Sequence, residues 1–421
     1  MNLNSMVVPR LSVMMFLQFF IWGAWYTSVA VYMSEEGMGT LTHWPYTVNP
    51  VAAIIAPFFL GLVADRFFST ERVLGMLHLL GGIVLFIVPQ TSNTPTLFIL
   101  LLLVYNLCYM PTLGLANSLA FHNIQDQERQ FPVIRVFGTI GWIIAGLLVS
   151  FVLGGLMGIV VEKTPIPLYT AATASIILGL YSFSLPHTPP SAAGEKISIR
   201  SIAGIDALKQ LGSRPFYIFI ICSFLICIPL AAYYNFTQLF LGNLGFKNIA
   251  GVQTMGQMSE ILFMLLMPFF FRRLGVKWML FIGMMAWVVR YGLFALGASE
   301  SLYWMILIGI ALHGICYDFF FVTGQIYVDK KSNAKIRGQA QGFLVLVTYG
   351  AGMLIGAQVA GAVYNGFLTD QTALSLEQWY AFWWIPAGFA AVVMLIFALS
   401  FRDKVDERQF RKSVEWPVDA P

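Results

Sequence analysis

The chain has 421 residues, of which 58% are hydrophobic and only 10% charged, with a formal net charge of +4. Soluble domains carry about 25% charged residues, and one water-soluble core of this length cannot hide so much apolar surface. Composition therefore excludes an ordinary soluble protein and makes lipid the solvent for most of the chain.

A helix crosses a bilayer with roughly 20 apolar residues. The sequence predicts twelve such spans. Six cover 10–33, 44–66, 72–90, 95–121, 132–154 and 165–185. Six more cover 215–242, 250–271, 276–297, 301–328, 336–364 and 377–401. The apolar runs are too long for strands and lack the alternation of a membrane barrel, so the predicted fold class is an all-α membrane protein. Between the two sets, 186–214 is Pro- and Ser-rich and then mildly amphipathic and basic, which predicts a cytoplasmic linker with a short interfacial helix. The expected organisation is an N-terminal six-helix bundle (1–185), this linker, a C-terminal six-helix bundle (215–401) and a cytoplasmic tail (402–421).

With a cytoplasmic N-terminus, Lys163 and Lys247 are the only Lys or Arg in external loops, and Arg135 and Arg290 fall within spans. The rest of the 24 basic residues then lie on the cytoplasmic side, as the positive-inside rule requires. Topology accounts for the net charge, so nucleic-acid binding is not expected. Arg10 precedes an apolar stretch too long for a signal-peptide core, which reads as the first span. Trp22, Trp25, Trp44, Trp304, Trp379, Trp383 and Trp384 mostly fall near span ends and are expected in an interfacial belt. The four cysteines lie in predicted helices without metal-ligand grouping, so neither a disulfide framework nor a metal or redox site is expected.

The loop after span two reads Gly61-Leu-Val-Ala-Asp65-Arg66, with Arg72 just beyond; its counterpart in the second half is Arg272-Arg273-Leu-Gly275-Val-Lys277. The G-x-x-x-D-R pattern there resembles the signature of the major facilitator superfamily. Asp65 can meet a helix N-terminus and Arg66 can pair across the rim. The two would latch one conformation of two rocking bundles, pseudo-symmetric in that fold.

Charged and amide side chains at membrane depth are costly and mark functional sites by default. In span five, Arg135, Thr139 and Trp142 form one stripe; span seven carries Tyr234, Asn235 and Gln238. In span eight Gln257 and Glu260 share a face, and span ten presents His313, Tyr317 and Asp318. Plainer roles remain open. Arg135 can snorkel to the interface, Arg290 and Asp318 can form a structural ion pair, and Asn235 and Gln238 can bridge helices. Thr139 and Trp142 can serve packing, and His313 can be a satisfied core histidine. Glu260 is hardest to explain that way, because an unpaired carboxylate among Met and Leu can gain and lose a proton as access alternates.

Several stretches look like the bacterial nucleoside:proton symporter family of the major facilitator superfamily. They are Phe131-Pro132-Val-Ile-Arg135-Val-Phe-Gly138-Thr139-Ile-Gly141-Trp142, Tyr109-Met110-Pro111-Thr112-Leu113-Gly114 and Gly256-Gln257-Met-Ser259-Glu260. His313-Gly314-Ile-Cys-Tyr317-Asp318, Tyr327-Val328-Asp329-Lys330-Lys331, Phe16-Leu17-Gln18-Phe19 and Trp22-Gly23 continue the match. The resemblance implies proton-coupled nucleoside uptake through a central cavity between the halves, in a multi-pass inner-membrane protein with both termini cytoplasmic. It implies that Arg135, Thr139, Trp142, Tyr234, Asn235, Gln238, Gln257, Glu260, His313 and Tyr317 form the substrate site. Glu260 and Asp318 would couple protons, Asp65 and Arg66 would act as the latch, and the proton gradient would be the driving force without a cofactor. Span seven departs from the family, whose nucleoside permeases carry amides near 231–234; here the segment reads Leu230-Ala-Ala-Tyr-Tyr234-Asn235.

The alternative substrate is a sugar or glycoside-like metabolite, recognised by similar Arg, Gln and aromatic contacts. No P-loop, H-E-x-x-H or nucleophile elbow appears in the sequence, so an enzyme is not expected. Twelve spans can enclose a path on their own, which makes a monomer in the lipid bilayer the expected state.

Overall fold

The computed structural model describes residues 6–60, 67–190, 204–299, 302–333, 336–368 and 373–402. Among the described residues the regular structure is helical, without strands. In chain order the long helices are α1 (Val7–Glu35), α2 (Pro45–Phe59), α3 (Thr70–Thr91), α4 (Pro95–Asn123), α5 (Arg129–Met157) and α6 (Ile166–Ser182). There follow α7 (Arg214–Asn243), α8 and α9 within the run Ile249–Ser299, α10 (Tyr303–Lys331), α11 (Arg337–Phe367) and α12 (Leu376–Ser400). Among the described residues, nine helices, counting that 51-residue run once, are long and apolar enough to span a membrane.

The long run is two crossings. Gly275 sits at φ 67°, a left-handed angle that glycine tolerates and that breaks the helix, so α8 is 249–274 and α9 is 276–299. With α2 and α6 this gives twelve long helices among the described residues, one for each predicted span; the predicted end of the second span, at 66, lies outside the described residues. Asp65 and Arg66, expected as a latch, lie outside the described residues, as does 403–421 of the tail. Within the linker, Ile205–Leu211 forms the short helix expected there.

Local sequence explains where the helices start and bend. Asp126 caps the N-terminus of α5 by accepting from Arg129 N at 3.1 Å, and Gln130 Oε1 accepts in return from Asp126 N at 3.0 Å. Ser375 and Gln378 form the same reciprocal box before α12. Helix α1 breaks at Thr27–Ser28 between Val7–Tyr26 and Val29–Glu35. Among the described residues, π-helical turns lie at Leu148–Leu153, Asp318–Val322 and Leu346–Gly352; such turns frequently mark functional positions.

The outward-facing side chains are strongly apolar. Leu80, Ile83, Leu100, Val133, Leu262, Leu265 and Leu399 are all exposed, which suits hydrocarbon and not water. The chain is a multi-pass membrane protein. One expectation is corrected: Trp22, Trp25, Trp379 and Trp383 are buried, and only Trp304 and Trp384 of the proposed belt are exposed. The helices turn Trp22, Trp25, Trp379 and Trp383 toward other aromatic rings instead of the interface.

The chain packs as two compact units that cut across its sequence halves. Unit 1 is Met1–Ile202 with Ala231–Thr254 and Tyr349–Leu374; unit 2 is Ala203–Leu230, Met255–Thr348 and Ser375–Pro421. Unit 1 therefore contains spans of the first half together with parts of α7, α8 and α11. In unit 2, Met267, Phe271, Met279 and Phe319 form an apolar core joining α8, α9 and α10.

Candidate functional site

In unit 1 the site begins with how closely α5 approaches α1. A Cβ on Gly141 would fall 2.2 Å from the Phe16 carbonyl oxygen, so only glycine permits this contact. The approach sets the Arg135 guanidinium 4.3 Å from the centre of the Phe19 ring, a cation–π contact. Two turns on from Arg135, Trp142 meets Trp22 edge-to-face at 5.5 Å and Tyr26 at 6.1 Å.

Trp22 also packs against Tyr109 at 5.8 Å and Tyr349 at 6.0 Å, while Tyr26 packs against Tyr46 and Tyr234. The inner rings Trp22, Tyr26, Tyr46 and Tyr109 are buried; Arg135, Thr139, Trp142, Tyr234 and Tyr349 are half-buried. A rigid aromatic wall thus supports an accessible rim of rings, a hydroxyl and one cation. That combination suits a flat, hydrogen-bonding organic molecule.

The amides of α7 behave differently from each other. Gln238 is wholly buried and engaged within the protein. Its Nε2 donates to the Tyr46 hydroxyl and to the Tyr26 carbonyl at 3.3 Å, while Oε1 accepts from Ala30 N at 3.0 Å. Asn235 is equally buried, but neither amide atom has a hydrogen-bond partner among the described residues.

Behind the aromatic wall lie two buried polar relays. In the first, His78 Nε2 faces Gln18 Oε1 at 2.9 Å, Gln18 Nε2 donates to Thr112 Oγ1 at 2.7 Å, and Tyr109 OH donates to the Gln18 carbonyl at 2.5 Å. In the second, Asn106 accepts from Asn49 Nδ2 at 2.8 Å, and Asn49 Oδ1 accepts from Tyr349 OH at 3.0 Å. Sequence reasoning missed His78, Asn49, Asn106, Tyr26, Tyr46 and Tyr349, and noted Gln18 only within a motif. The amides and the histidine carried the same signal that exposed Gln257, polarity at membrane depth. The tyrosines carried none.

A further missed residue ties α5 to α8. Glu162, in the turn before α6, is wholly buried; its Oε1 accepts from Ser150 Oγ and from Ala250 N at 3.0 Å. Ser150 Oγ in turn accepts from Gly251 N at 2.7 Å. A carboxylate and a hydroxyl thereby cap the first turn of α8, where N–H groups lack helical partners and the dipole favours negative charge. Nearby, Gln253 Nε2 donates to the Thr27 carbonyl at 3.1 Å, at the break in α1.

The remaining sequence-predicted residues belong to unit 2. Ser259 Oγ donates to the Ala311 carbonyl and accepts from Gly314 N at 3.0 Å, joining α8 to α10. This join places His313 against Gly256, and the His313 ring stacks on Tyr317 at 5.9 Å. Asp318 opens the π-helical turn of α10 and is completely buried, yet its carboxylate accepts no hydrogen bond from any described residue. Glu260 and Gln257 are half-buried, and Glu260 lies within electrostatic reach of Asp318. The ten predicted substrate residues thus fall into two sets. Arg135, Thr139, Trp142, Tyr234, Asn235 and Gln238 lie in unit 1; Gln257, Glu260, His313 and Tyr317 lie in unit 2 with Asp318.

Comparison with known proteins agrees with these features. The family model described as "Nucleoside H+ symporter" matches residues 5–406. The transporter YegT of Escherichia coli (strain K12), whose name assigns nucleosides as a provisional substrate, is 40% identical over 94% of both chains. The nucleoside permease NupG of the same organism is 32% identical over 94% of this chain and 96% of its own. The crystal structure of nucleoside transporter NupG superposes with a TM-score of 0.83 at 31% identity, covering 96% of this chain and all of the other. The chain belongs to the nucleoside H+ symporter family, a family of membrane transporters of the major facilitator fold.

Proposed function

We propose that this protein takes up nucleosides with protons across the bacterial inner membrane by alternating access. Family membership along the whole chain supports this, and the accessible aromatic rim around Trp142 carries it at the level of residues. Trp142 and Tyr234 would offer ring faces and edges to a base. Arg135 and Thr139 would donate hydrogen bonds, and Gln257, His313 and Tyr317 would supply further polar and aromatic contacts. Asn235 brings an amide whose hydrogen-bonding capacity is unmet; Gln238 would act by holding α1, α2 and α7 together until the transporter changes state.

Asp318 and Glu260 would carry the proton. Two carboxylates in mutual electrostatic reach, one of them fully buried, disfavour being ionised together. One would therefore take up a proton with the substrate and release it on the other side. The bias of basic residues supports a cytoplasmic position for both termini. The two sequence halves, joined by 186–214, would rock as a monomer, with Asp65 and Arg66 latching one state. The proton gradient supplies the work, about 2.3 kcal/mol per charge per 100 mV, and no cofactor is called for.

Binding is testable on purified protein. Uridine or adenosine at a hundredfold excess over Kd should stabilise the detergent-solubilised protein by roughly 2.7 kcal/mol, raising the melting temperature, and Trp142→Ala should remove the shift. Stabilisation by sugars alone would replace the nucleoside with the sugar alternative.

A further inference from the structure

Arg135 is held by an aromatic face and not by a counter-ion. Its guanidinium carbon lies over the Phe19 ring, 4.3 Å from the centroid. Among the described residues no carboxylate lies within ion-pair reach of it, and no oxygen accepts from its N–H groups. The difference matters chemically. A carboxylate would occupy N–H donors in pairs and cancel the charge, whereas a ring face attracts the cation through its quadrupole and takes up no hydrogen bond. Arg135 therefore keeps both charge and donors, and it is half-buried on the stripe it shares with Thr139 and Trp142.

Gly138 makes the space for this contact. It is buried one turn along α5 from Arg135, and a Cβ there would fall 2.7 Å from Phe19 Cδ2 and 2.9 Å from Arg135 Nη1. A larger residue would push the ring and the guanidinium out of place. The ring is itself fixed, because Phe19 packs on Trp22 at 6.4 Å and α1 lies hard against α5 on either side of it. A Cβ on Gly141 would meet the Phe16 carbonyl, and one on Gly23 would fall 3.0 Å from Trp142 Cα. An arginine stem is long and flexible, so holding it in one rotamer before the substrate arrives lowers the ordering cost of binding.

We infer that Phe19 is a positioning residue: its ring, seated against Gly138, holds the Arg135 guanidinium so that the N–H groups meet an acceptor on the substrate. Resting on the proposed nucleoside function, this assigns a carbonyl oxygen of the base or a ribose oxygen to Arg135. Arginine cannot accept a hydrogen bond, so a substrate presenting a donor there is disfavoured. Phe19 makes no polar contact of its own and acts through Arg135.

The test is a double-mutant cycle read by uridine binding to the purified protein. Phe19→Leu keeps an apolar side chain but loses the ring, and should weaken binding about two- to thirtyfold, the range of a cation–π contact. Phe19→Tyr restores the ring and should bind within about twofold of the wild type. Added to Arg135→Gln, Phe19→Leu should weaken binding no further, because the ring then has no cation to hold. Gly138→Ala drives a methyl against both groups and should repeat the Phe19→Leu pattern in both backgrounds; it carries the test if Phe19→Leu does not fold. In proteoliposomes the loss should fall on KM more than on the maximal rate. A packing role alone would give equal losses with and without Arg135. That result, or wild-type binding by Phe19→Leu, overturns the inference although nucleoside transport stands. If the wild type binds neither uridine nor adenosine, the proposed function itself fails.

Discussion

Replacing Glu162 by Ala should loosen the junction between α5 and α8. The substitution takes the acceptor from Ala250 N–H, which sits in the first turn of α8 and cannot turn elsewhere. A buried donor left unsatisfied costs about 1–3 kcal/mol. Removing the carboxylate from the α8 N-terminus adds about 0.3–1 kcal/mol, whereas Ser150 can rotate its hydroxyl to another acceptor. The sum is roughly 1–4 kcal/mol, or about 10- to 1000-fold in the equilibrium for opening this junction. Glu162→Gln keeps an acceptor and should cost about 1 kcal/mol. Thr254 is a suitable reporter. It is buried, and a Cβ on Gly146 would lie 2.6 Å from its methyl group. Maleimide labelling of Thr254→Cys, with the four native cysteines replaced, should be slow with Glu162, faster with Gln and fastest with Ala. Equal labelling in all three would refute the claim that the carboxylate holds this junction closed.

Gly141→Ala forces a methyl to within 2.2 Å of the Phe16 carbonyl. It should cost about 1–3 kcal/mol or more through overpacking, seen as a lowered melting temperature and separation of α5 from α1. His43 lies in the loop before α2 and packs on Gly361, and burial pushes its pKa from 6.5 down to about 4. The unfolded chain therefore binds the proton first as pH falls. The stability contributed by neutral His43 is complete above pH 6.5 and lost progressively toward pH 4. His43→Gln should flatten the pH dependence of melting in that window; an unchanged slope would remove His43 as its source.

The fold was almost wholly legible, because twelve apolar stretches of bilayer length leave few alternatives to twelve helices. Even the merged run Ile249–Ser299 was separable in sequence, since Arg272, Arg273, Gly275 and Lys277 interrupt its apolar pattern. The stripe Arg135, Thr139, Trp142 was also legible, since helical spacing alone puts these residues on one face.

What spacing cannot supply is which faces meet. Tyr26, Tyr46 and Tyr349 look like ordinary span aromatics until α1, α2 and α11 bring them together. Glu162 reads as a solvated loop acid until the turn before α6 folds over the α8 N-terminus. Trp22 and Trp25 mimic an interfacial belt, although their burial against Trp142 and Tyr105 is decided by packing between helices. In the same way Asn235 and Gln238, three residues apart, have opposite fates. One is fully hydrogen-bonded and the other is not, a difference set by Tyr46 and Ala30 on distant segments.

Uptake of labelled uridine and adenosine by proteoliposomes, with and without an inwardly directed proton gradient, tests the central claim most directly. The account predicts accumulation only with the gradient and competition by nucleosides but not by sugars. It further predicts that Asp318→Asn loses uphill accumulation while still exchanging nucleoside across the bilayer. Gradient-independent uptake, or accumulation of a sugar in place of the nucleosides, would contradict it.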